Sequence, residues 1–149
     1  MKRPYVIFIS LILITSCLSL SVFAFMINNT PAPSSSIQKN QILVYNKYVL
    51  INQSNIAWFT VSSTKSMLPF IDSGNYALGL NITNESSLHI GDVITYKSYN
   101  GHYIIHRIID INNDKDGVYY NLKGDNNWFT DPIRVRLNMT RFKIVAIVY

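Results

Sequence analysis

Three short stretches of this chain carry side chains suited to nucleophilic chemistry. Ser66 stands in Ser62-Ser63-Thr64-Lys65-Ser66-Met67-Leu68-Pro69, between an apolar β-like run over residues 56–61 and a loop stopped by proline. His106 lies in Tyr103-Ile104-Ile105-His106-Arg107-Ile108-Ile109, where strand alternation puts it on one face with Ile104 and Ile108. Asp125 and Asp131 flank a polar loop in Lys123-Gly124-Asp125-Asn126-Asn127-Trp128-Phe129-Thr130-Asp131-Pro132. A serine hydroxyl is a weak nucleophile near neutral pH. An imidazole can take its proton, and a carboxylate can orient the ring and stabilise the imidazolium. Ser66, His106 and one of Asp125 or Asp131 would supply those roles for hydrolysis through an acyl intermediate. Each has a plainer reading alone: a strand running into a proline turn, a hydrogen-bonded core histidine, aspartates capping turns. His89 and His102 stand beside turns and read as surface residues.

To bring such residues together the chain must fold as strands. Little helical periodicity follows the N-terminal region, while runs of β-branched and aromatic residues predict strands over 41–50, 56–61, 76–81, 92–98, 103–111, 118–122 and 142–148. Turn-formers separate them, and Asn100-Gly101 predicts a tight hairpin. The fold class expected is all-β, a coiled barrel-like domain with one modest core.

Residues 5–27 contain no charge, and as a helix their 23 residues would reach about 34 Å, enough for a bilayer core. One transmembrane anchor is expected there. Lys2 and Arg3 precede it and no basic residue follows until Lys39, which places the N-terminus in the cytoplasm and the remainder outside. A cleavable secretory signal is the competing reading, with Val22 and Ala24 as small residues at the right spacing, but its apolar core is usually shorter. The organisation expected is a tip and anchor over 1–27, a polar linker over 28–37 and an extracytoplasmic β domain over 38–149. Five Asn-x-Ser/Thr sequons, at Asn28, Asn52, Asn81, Asn84 and Asn138, suit that placement.

Composition removes other classes. The lone Cys17 excludes an internal disulfide and a multi-cysteine metal site. Of the 13 basic residues two precede the apolar segment, which leaves 11 against 8 acidic ones, scattered along the chain. Nucleic-acid binding would need them clustered.

The ordered set Ser66-Met67-Leu68-Pro69, Gly91-Asp92-Val93-Ile94, His106-Arg107-Ile108 and Lys123-Gly124-Asp125-Asn126-Asn127 with Asp131 resembles the type I signal peptidases, spanning about residues 61–131. His106 stands where the bacterial branch has a lysine, so the resemblance is to the archaeal and endoplasmic-reticulum branch. It implies Ser66 as nucleophile, His106 as general base, Asp131 as the partner of the imidazole and Asp125 in support. It also implies an oxyanion site from Thr64 and the Ser66 N–H, and no metal or organic cofactor. Met67, Leu68, Pro69 and Phe70 would rest on the lipid bilayer. The substrate would be the extended end of a signal peptide, laid beside an enzyme strand, with accessory subunits or a translocon as further partners. Asn75, Lys65 and Ala146 depart from the family's usual residues without removing a proposed catalytic group. Two alternatives stand beside this reading: a related peptidase dedicated to one precursor class, and a non-catalytic tethered β-domain serving a translocation partner.

Overall fold

The computed structural model describes Ile14, Thr15, Cys17 and residues 30–149. The chain divides into two compact units, Met1–Thr30 and Pro31–Tyr149. In the first, Ile14, Thr15 and Cys17 are helical. Among the described residues no helix is long and apolar enough to cross a membrane, and the anchor expected over 5–27 falls on residues outside them.

The second unit is all-β. Its strands are β1 (Ile42–Val44), β2 (Val49–Ile51), β3 (Ile56–Thr60), β4 (Tyr76–Asn81), β5 (Val93–Lys97), β6 (Tyr103–Asp114), β7 (Gly117–Lys123) and β8 (Thr140–Val148). β1 and β2 pair only with each other. The rest form a six-stranded sheet in the order β3-β4-β8-β5-β6-β7, antiparallel at every pairing. The strand expected over 41–50 is therefore a hairpin, broken where Asn46 and Lys47 turn the chain and the Tyr45 N–H donates to Tyr48 O at 2.9 Å.

β5 lies inside the sheet, and its side chains alternate between two cores. Ile94 and Tyr96 join Ile108, Tyr120, Leu122 and Val135 on one face. Val93 joins Met67, Ile71, Ala77 and Ile144 on the other. A strand buried on both faces reads as a continuous apolar run, as Val93-Ile94-Thr95-Tyr96 does. Each fully buried branched side chain here contributes about 1.5–3 kcal/mol.

The sheet is open, since β3 and β7 form its two edges. Register shifts at Leu78/Gly79, Ile94/Tyr96 and Ile108/Asp110 mark bulges, which increase local twist. At the first of them a Cβ on Gly79 would sit 2.7 Å from Phe142 Cβ. The bare glycine lets Phe59 and Phe142 meet, ring centroids 5.6 Å apart, across β4.

Residues 31–36 fall in the stretch expected as a linker, yet they lie along this unit. The Ser34 N–H and hydroxyl donate to Asp92 Oδ1 at 2.7 and 2.9 Å, and Pro31 O accepts from Arg107. A short apolar-poor segment can be held by polar bonds to buried charges, which composition does not reveal.

Candidate active site

The turn after β3 presents Ser66. Lys65 adopts a left-handed φ of 59°, unusual for a residue with a side chain, which reverses the chain just before the serine. Met67 points inward, 3% exposed, and anchors the turn. Its sulfur accepts the Asp125 N–H at 3.4 Å. From the other side, Asn126 N donates to Ser66 O at 2.8 Å and Asn126 Nδ2 to Lys65 O at 3.1 Å. This clamp requires glycine at 124, where a Cβ would lie 2.6 Å from Ser66 O.

The apolar residues after Ser66 do not share one environment. Met67 belongs to the core, so its expected contact with lipid is corrected: its side chain fills the space under the turn. Leu68 is half-buried, and Pro69 and Phe70 are exposed.

His106 is 6% exposed on β6. Its Nδ1 lies 2.7 Å from Asp131 Oδ2 and 2.9 Å from Oδ1. A carboxylate at Nδ1 favours the tautomer that donates there and leaves Nε2 to accept a proton. Asp131 is fixed in turn: its N–H donates to Leu122 O at 2.8 Å, and Tyr96 OH donates to Oδ2 at 2.7 Å. Burial first, then the hydrogen bond and negative charge of Asp131, raise the Tyr96 pKa above the ordinary phenol value. Tyr96 thus stays a donor.

Asp125 does not meet the imidazole. It receives Arg107 Nε at 2.8 Å and Nη2 at 2.6 Å in a bidentate pair, both side chains under a tenth exposed. Arg107 also donates to Gly91 O at 2.8 Å. Asp125 thereby holds the loop that clamps Ser66.

Ser66, Thr64 and His106 line one cleft of about 640 Å³. The hydrogen bond of Ser66 Oγ runs to Thr64 Oγ1, at 3.0 Å, rather than to His106. Hydrogen bonds between catalytic groups are commonly long without substrate and tighten when it binds. One wall of the cleft is β3, an edge strand, and the other is the Tyr103–His106 part of β6, which is paired by β5 but not by β7. Four successive antiparallel pairings separate β3 from β6, so the two walls run in the same direction. Thr95 and Phe142 also line the space, which is otherwise mostly apolar.

Tyr96, Arg107 and Asn126 escaped the reading of residue types. A tyrosine on an alternating apolar strand signals a hydroxyl that needs a partner, and Arg107 adjoins His106 on the opposite face. Nothing local singles out Asn126.

The chain is similar to "Signal peptidase I W" of Bacillus subtilis, 36% identical over 84 residues that cover 53% of this chain and 44% of that relative. The chain thus spans less than half the length of that relative. No family model and no solved structure matches.

Proposed function

We propose that this chain is a membrane-bound serine endopeptidase that removes signal peptides from exported preproteins. The observation that carries the proposal is the His106–Asp131 pair at 2.7 Å opening onto a cleft that Ser66 also lines. The similarity to a signal peptidase supports the same class of reaction and substrate.

An extended peptide between the two walls can hydrogen-bond to unpaired strand edges, as in other strand-addition modes. In the proposed reaction Ser66 Oγ attacks the scissile carbonyl carbon and its proton passes to His106 Nε2. Asp131 stabilises the imidazolium through Nδ1. The oxyanion is held by the Ser66 N–H and the Thr64 hydroxyl, at about 3–4 kcal/mol per donor in comparable sites. His106 then protonates the leaving amine, the C–N bond breaks, and water activated by the same imidazole hydrolyses the ester. A histidine paired with aspartate, in place of a lysine, supports the archaeal and endoplasmic-reticulum branch. In this reading residues 5–27 anchor the chain with the second unit outside, and Pro69 and Phe70 face the bilayer.

The test is cleavage of a preprotein in detergent or membranes by the wild type, Ser66→Ala and His106→Ala at equal expression. Both variants are expected to lose cleavage and the wild type to show it; undiminished cleavage by Ser66→Ala would end the proposal.

A further inference from the structure

The strands wall the cleft on one side of the reactive groups. β3 leads into the Ser66 turn and β6 runs from Tyr103 to His106, so both walls reach back from the catalytic groups, to Ala57 and to Tyr103. From His106 to Tyr103 is about 10 Å at the rise of an extended strand, which gives room for the peptide residues on one side of the scissile bond. Those on the other side must leave past the Ser66 turn and the loop clamped to it, where Asn127 lines the rim.

Lys65 stands on that rim. It directly precedes Ser66, is exposed and does not line the walled part of the cleft. Its φ of 59° suits glycine. The chain nevertheless carries a lysine there, its carbonyl held by Asn126 Nδ2 at 3.1 Å. A side chain kept in a conformation that costs it strain, beside a nucleophile, points to a use for that side chain. Among the described residues no hydrogen bond or ion pair engages its ammonium. The charges around it are engaged: Lys123 Nζ donates to Asn127 O at 3.1 Å, Asp125 pairs with Arg107 and Asp131 with His106. No acidic side chain lines the cleft. Lys65 thus offers an unengaged cation where the peptide leaves.

We propose that Lys65 is a specificity determinant for the leaving side of the substrate, favouring a carboxylate side chain, aspartate or glutamate, among the first three residues after the cut bond. The inference rests on the peptidase reading above, in which the walled part of the cleft takes the end of the signal peptide, and it narrows the substrate class. An ammonium on a flexible four-carbon stem acts as a point charge, so it selects for charge within its reach rather than for one shape. It favours an acidic residue, tolerates a neutral one and disfavours a basic one. The rim is solvated, so the preference is moderate, about two- to fourfold between glutamate and its isostere glutamine, and it falls as salt is raised.

The test uses the full chain in neutral detergent and fluorescent peptides spanning a signal-peptide junction, in Glu/Gln/Lys triplets with the variable residue placed in turn at each of the first five positions after the junction. The readouts are kcat/KM for the wild type and, separately, peptide affinity for Ser66→Ala protein by fluorescence anisotropy. The expected result is a Glu-over-Gln preference within the first three positions, seen in both readouts and weakened by salt. Lys65→Gln and Lys65→Gly should each bring the Glu and Gln peptides to the same value, although glycine relieves the backbone strain. Lys65→Arg should retain the preference, and Lys65→Glu should favour the Lys peptide. Equal Glu and Gln values at every position in the wild type, or a preference that survives in Lys65→Gln, overturns the proposal. So does a Lys65→Gln defect that shows only in vesicles containing anionic lipid, which would assign the ammonium to a headgroup. The anisotropy readout keeps the two readings apart. Binding that discriminates without cleavage ends the peptidase reading alone, and cleavage without discrimination ends this one alone.

Discussion

The Tyr96 hydroxyl donates, at 2.7 Å, to the same Asp131 oxygen that meets His106 Nδ1. One carboxylate thus joins β5, β6 and the loop after β7, and its orientation is set before any substrate arrives. Asp131→Asn keeps the shape but loses the charge and permits the opposite imidazole tautomer. We expect kcat to fall about a thousandfold or more with KM little changed. Steady-state kinetics on a cleavable peptide, with circular dichroism to confirm folding, check this. A fall below tenfold would show that the imidazole does not depend on Asp131.

Tyr96 also makes a pH prediction. Its pKa is raised in the folded protein, so the folded state keeps a proton that the unfolded chain gives up near pH 10. Below that value the contribution to stability is present in full. Above it the unfolded state binds fewer protons, so stability falls as pH climbs toward the folded pKa. Urea unfolding between about pH 9 and 11 should show a shallower decline for Tyr96→Phe than for the wild type. Parallel declines would mean that Tyr96 ionises alike in both states.

The Arg107–Asp125 pair should matter through the loop it holds. Both side chains are buried, and removing one partner of a buried pair costs about 3–5 kcal/mol because the other charge is left uncompensated. Asp125→Asn is therefore expected to lower the denaturation midpoint markedly while leaving the pH profile of any residual cleavage in place, since Asp125 does not touch His106. A profile shifted along the pH axis would show instead that Asp125 acts on the imidazole.

These cases show which parts of the architecture are legible in residue types. Strands β3 to β8 announce themselves because branched and aromatic runs are cut by Gly, Asn and Asp at the turns. The hairpin β1–β2 hid because Asn46-Lys47 is a weak turn signal inside an apolar run. His106 and Asp131 can be nominated from chemistry, yet their meeting depends on the loop after β7 folding back over β5, a long-range event without local periodicity. Arg107 and Asp125 are harder still: an arginine beside a histidine looks like a surface charge until the opposite strand face proves to be buried.

The N-terminal stretch supplies the last prediction. Lys143 Nζ and Asp92 Oδ2 are 2.7 Å apart and nearly inaccessible, at 5% and 0% exposure. The Ser34 hydroxyl lies 2.6 Å from Lys143 Nζ and 2.9 Å from Asp92 Oδ1, covering the pair. Beside it Gly91, at φ 98°, lets the Ala32 carbonyl approach to where a Cβ would be 2.2 Å from its oxygen. Ser34→Ala removes a hydroxyl bonded to two charges, at a cost of about 1.5–3 kcal/mol. Gly91→Ala must push residues 31–34 away and strain the backbone. Lys143→Met should cost more than either, about 3–5 kcal/mol, because Asp92 would remain buried without its cation. Guanidinium unfolding of the three variants in the full chain measures the order. Near-zero effects for Ser34→Ala and Gly91→Ala together would mean that this segment is only a tether.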